Sequence, residues 1–81
     1  MNISKEKLVR AIDAFTRYLE KKGFFDPDEA SKSEVMEYLL TQEEEENLDS
    51  SLDFLATQEG CEELMRQAEF RRLRRNLLQE G

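Results

Sequence analysis

Two runs of like charge stand out among the side chains in this sequence that could do chemistry. The first is Glu43-Glu44-Glu45-Glu46. A metal ion needs carboxylates that converge, whereas consecutive helical positions point in different directions. No EF-hand spacing surrounds the run. In a first helical turn the four glutamates complement the positive end of the dipole, so they read as an acidic patch facing solvent or a partner.

The second run is Arg71-Arg72-Leu73-Arg74-Arg75. Such a cluster can meet phosphates or an acidic protein surface. Glu62, Glu63 and Glu69 lie on the same segment, and no aromatic residues interleave the arginines. A solvated, ion-paired face that contacts the acidic segment of this chain or of its dimer mate is therefore the simpler reading.

Nothing else suggests catalysis. The chain has 0 histidines, and its 1 cysteine, Cys61, can form neither an internal disulfide nor a thiolate zinc cluster. No P-loop, dinucleotide fingerprint or GxSxG motif occurs. A lone thiol in a helical chain behaves as a small apolar residue. Ser50 and Ser51 read as polar filling on a wet face. The expectation is a protein that is not an enzyme, with no cofactor and no metal site.

Charge is unevenly spread. Net charge is −7 over 81 residues. Residues 1–23 carry six basic and three acidic groups, residues 24–60 one lysine and twelve acids, and residues 61–81 five arginines and four acids. An acidic middle between two mildly basic ends opposes general nucleic-acid binding and leaves charge-complementary packing open. Met1 to Glu6 turns polar too soon for a signal peptide, and no apolar run nears the roughly 20 residues of a membrane span. Together with the scarcity of cysteine, this sets a cytoplasmic expectation.

Helical periodicity runs through the chain. Ser4 can cap a first helix over about 4–22, in which Leu8, Ile12, Phe15 and Leu19 form a stripe bordered by Ala11 and Tyr18. Lys21 and Lys22 suit its C-terminus, and Gly23 can close it. Asp26-Pro27-Asp28-Glu29 is a helix start, with Asp26 as cap and Phe25 in the position of a hydrophobic staple. Ser31 and Glu34 repeat the capping spacing, so 27–40, which carries Val35, Met36, Leu39 and Leu40, forms either one helix or two. A break near Thr41 is expected. A continuous helix would set Val35 and Leu39 opposite Leu48, Leu52 and Leu55. The next helix is placed at about 42–58, ended by Gly60, and the last at about 61–79.

That last helix changes face. Cys61, Leu64, Met65 and Ala68 make one apolar stripe, while Phe70, Leu73 and Leu77 make another about 160° around the cylinder. The second stripe can cover a partner chain, lie inside the monomer, or reflect a bend. A chain this short has little material with which to surround its own last helix.

The reading is an all-α fold: residues 1–81 as a single helical domain, a small bundle of three long helices plus one short helix, completed by dimerisation. The expected function is a small helical adaptor or regulatory protein acting through protein–protein contact as a homodimer. Phe70, Leu73 and Leu77 would anchor the interface, with Leu78 at its margin and Arg71, Arg74 and Arg75 among the rim charges. The alternative is a nucleic-acid-binding or transcription-associated regulator that uses Arg66, Arg71, Arg72, Arg74 and Arg75, helped by Lys5, Lys7 and Arg10. A third reading has the acidic middle imitate nucleic acid in a basic groove of another protein.

Overall fold

The computed structural model describes residues 3–41 and 48–80, with side chains described through Arg72. Its described elements are four helices: α1 (Lys5–Lys21), α2 (Pro27–Leu40), α3 (Leu48–Leu55) and α4 (Gln58–Glu80). No strand occurs among the described residues.

Helix α1 has a defined start and stop. The Ser4 side chain accepts from the Lys7 N–H at 3.4 Å, and the Ser4 N–H donates to Asp49 Oδ1 at 3.1 Å. One serine thereby caps α1 and ties its start to the first turn of α3. At the other end Gly23 adopts φ +82°, where a side chain would be strained. The Gly23 and Phe24 N–H groups donate back to Glu20 and Leu19, a double closure of the Schellman type.

Helix α2 is one helix, which settles the alternative left open by the Ser31–Glu34 spacing. Ser31 lies in its interior, fully buried, and caps nothing. Its Oγ donates to the Asp28 carbonyl at 3.0 Å and sits 2.6 Å from Thr16 Oγ1, which donates to the Ile12 carbonyl at 2.8 Å. Two hydroxyl protons serve three contacts, so whichever hydroxyl donates across the α1–α2 interface releases its own carbonyl. Asp26 is the N-cap of α2 as expected, but it caps through its backbone, and the expected staple fails. The Asp26 side chain makes no capping bond, and its carbonyl receives the Ala30 N–H instead. Phe25 is fully exposed and staples nothing. Pro27, which needs no N–H partner at the first position, remains as the start signal.

Helix α3 runs beside α1 in the same direction, since Ser4 meets Asp49 and Lys7 Nζ meets Asp53 Oδ2 at 3.0 Å. It buries Leu48, Leu52 and Leu55, one face at spacings of four and three. The expected 42–58 helix and its Gly60 terminator are corrected at the C-terminal end; residues 42–47 lie outside the described residues. Helix α3 stops at Leu55, and Thr57 opens α4: its Oγ1 receives the Gly60 N–H at 3.0 Å and donates to the Phe54 carbonyl at 2.6 Å. Gly60 lies inside the first turn of α4, where a Cβ would collide with the Phe54 carbonyl and come within 2.8 Å of Leu55 Cα. The glycine lets α4 leave α3 in a tight corner rather than ending a helix.

The core joins Ala11, Phe15 and Leu19 of α1 to Val35 and Leu39 of α2, to the three α3 leucines, and to Cys61 and Leu64 of α4. Leu8 and Ile12 flank it half-buried.

Two substitutions test this arrangement by thermal or urea unfolding. Leu52→Ala should cost about 2–5 kcal/mol, the usual range for a fully enclosed leucine. Gly60→Ala should lower the midpoint by a comparable amount, although alanine is the better helix former. A neutral or stabilising Gly60→Ala would show that the corner is looser than described.

Candidate functional site

The surface built around α4 is where the sequence points. The first half of the helix turns Cys61, Leu64 and Ala68 into the core, with Met65 half-buried at its edge. One turn later Phe70 stands 61% exposed on a different face. Single exposed apolar residues are ordinary, and Phe25 is barer still, so the ring matters only together with the groove beside it. On α2, Val35 and Leu39 are buried, while Leu40 is 77% exposed and Met36 half-exposed. Between α4 and the end of α2 lies a groove of about 420 Å³ lined by Thr41, Glu63, Gln67, Phe70 and Arg71, among others.

Ion pairs set the geometry beside Phe70. Arg71 reaches back onto α2, where its NH2 group pairs with Glu34 Oε1 and its Nε donates to Glu37 Oε2 at 3.0 Å. Arg71 and Glu34 are each only 21% exposed. This places Arg71, expected at the rim of an external interface, in a contact within the chain. Glu63 receives Arg66 at 2.8 Å and the Gln67 amide at 3.0 Å, so a second arginine of the basic series is also occupied. Arg72 is exposed. The backbone of α4 continues to Glu80. The side chains of Leu73, Arg74, Arg75, Leu77 and Leu78 lie outside the described residues, and so does the whole acidic patch Glu43, Glu44, Glu45 and Glu46.

Glu34 and Glu37 were missed as part of this surface. Their i, i+3 spacing was visible, but only the crossing of α4 over α2 shows that one guanidinium can bridge them.

Two groups near the core have displaced titrations. Burial raises the Cys61 thiol above its ordinary value, and the Glu62 charge adds to the effect. Burial also raises the Tyr38 phenol, helped by the charge of Glu63. The thiol donates to the Leu55 carbonyl at 3.4 Å, so it sits in the α3–α4 corner as a protonated, apolar filler. Among the described residues no group of three acidic, cysteine or histidine side chains is placed to hold a metal ion, and no helix is long and apolar enough to cross a membrane.

The architecture so defined is a small all-helical protein. No family model matches the chain, and no curated protein or solved structure matches it either.

Two measurements follow. Iodoacetamide should alkylate native Cys61 far more slowly than the unfolded chain at the same pH. The folded thiol holds its proton more tightly, so the stability this contributes is complete below the ordinary thiol value of 9.0 and falls as pH rises through the raised folded value. A double-mutant cycle between Arg71→Met and Glu34→Gln should return a coupling of about 1 kcal/mol, above that of a fully exposed pair. Zero coupling would remove the bridge as an organiser of this surface.

Proposed function

We propose that this chain is a small non-enzymatic helical adaptor or regulatory protein that acts through protein–protein contact, as a homodimer joined along the second half of α4. The observation that carries the reading is the exposed ring of Phe70, on the opposite side of α4 from buried Leu64 and Ala68. Leu73 and Leu77 continue the line of Phe70 by helical spacing, with Leu78 at its margin. Exposed Leu40 and Met36 add further apolar surface from α2. The thin core supports the same reading, because a chain this short gains stability by burying apolar surface against a second subunit.

Protein contact is favoured over the nucleic-acid alternative on two grounds. Arg71 and Arg66 already face carboxylates within the chain, which weakens the basic series as a phosphate-binding row. A net charge of −7 adds long-range repulsion toward a polyanion. Arg74 and Arg75 serve in this reading as rim charges around the apolar anchor.

Light scattering behind a sizing column should return twice the 9.6 kDa chain mass at micromolar concentration. Leu73→Asp with Leu77→Asp should give a monomer of unchanged helical circular dichroism. A strict monomer in the unaltered protein at high concentration ends the self-association reading, and unfolding of the double variant moves both leucines into the intramolecular core.

A further inference from the structure

On the side of the molecule built by α1, a second groove runs between that helix and the α3–α4 corner. Its floor is apolar and small: Val9, Ala14 and Ala56. Val9 is 51% exposed although it sits mid-helix. Lys5, Arg10 and Arg17 line the groove, with Glu6 and Asp13 as its acidic residues, and the volume is about 870 Å³. An adjoining depression of about 410 Å³ shares Ala14, Arg17 and Ala56 with it and brings in Lys21 and Lys22. Together they form one channel along the whole of α1, edged by five cations against two carboxylates.

Those cations are largely uncommitted. Among the described residues none of Lys5, Arg10, Arg17, Lys21 and Lys22 forms an ion pair, while neighbouring Lys7 is held by Asp53. Lys22 lies 5.2 Å from the centre of the Tyr18 ring, a contact that leaves its charge unneutralised. A positive strip on a chain of net charge −7 is a local feature and not a reflection of general basicity.

We propose that this channel is a docking site for an acidic amphipathic helix of another protein. From Lys5 to Lys22 the channel is about 26 Å long at 1.5 Å per residue, which matches a helix of about 17 residues. Small floor residues allow the axis of a second helix to approach closely. An apolar stripe on the incoming helix covers Val9, Ala14 and Ala56, and flanking aspartates or glutamates meet Arg10, Arg17 and the lysines. Nucleic acid suits the channel less well. Phosphates gain nothing from an apolar floor, whereas a helix with an apolar stripe does. The site is separate from the Phe70 surface, so the two proposals stand or fall independently.

The test uses the full chain and a fluorescein-labelled helical peptide of about 18 residues, with leucines along one stripe and glutamates flanking them. Its counterparts are the same peptide with lysines for the glutamates and a duplex DNA of similar length. At low salt, anisotropy should show the glutamate peptide binding in the micromolar range and weakening as salt is added. Arg10→Glu with Arg17→Glu should weaken it at least tenfold, and Phe70→Asp should leave it unchanged. If the charge-reversal pair lowers the helical circular dichroism, Val9→Asp, at an exposed position, should give the same loss in a folded chain. Equal binding of the lysine peptide, no binding of the glutamate peptide, or indifference to both sets of variants overturns the proposal. Tighter binding of the duplex reassigns the channel to nucleic acid. A change of oligomeric mass in the Arg10→Glu, Arg17→Glu chain reassigns it to contact between copies.

Discussion

Helix α1 contacts each of the other three helices, and the burial of Ala11, Phe15 and Leu19 along it is the constraint that the rest of the chain satisfies. Val35 and Leu39 cover that stripe from α2, and Leu48, Leu52 and Leu55 cover it from α3. A core of this size leaves no surplus. Losing one large side chain removes a sizeable share of the few kcal/mol by which a small domain is stable. The ends of α1 are pinned for the same reason, by Ser4 bonded to Asp49 at one end and by the Gly23 closure at the other. A frayed α1 would uncover the interior from both sides.

Polar contacts refine this arrangement without driving it. The Thr16–Ser31 hydroxyl pair sets the register of α1 on α2, because a serine with no exposed surface must find a partner. Arg71 does the same for α4 on α2 by spanning Glu34 and Glu37. Both devices use side chains whose individual worth is modest, and both would be misplaced by a shift of one residue. Their value lies in specifying one packing among several of similar apolar burial.

The surfaces left over have two characters. At Phe70 an exposed aromatic ring stands among polar neighbours whose charges are already paired. Along α1 the exposed groups are cationic over a small-residue floor, with charge unpaired among the described residues. A surface of the first kind gains most from burying area, and one of the second kind from electrostatic complementarity.

Much of this was legible from residue order. The all-helical class followed from periodicity alone, and the Leu48–Leu52–Leu55 and Cys61–Leu64–Ala68 faces were readable because burial follows the 3.6-residue repeat. The sharp start at Pro27 and the closing role of Gly23 were readable because each residue type has few backbone options. Other features were decided only in three dimensions. Gly60 looks like a terminator in sequence, but the close approach of the Phe54 carbonyl makes it the pivot of the α3–α4 corner. Ser31 looks like a cap and is an interior hydroxyl, because Thr16 comes opposite it. Phe25 looks like a staple and stands in solvent. Arg71 looks like a rim residue of an external interface and is a bridge within the chain. Local order states what each residue prefers to do with its own backbone and its helical neighbours. Which distant carbonyl, hydroxyl or carboxylate arrives beside it depends on how helices cross, and no local spacing encodes that.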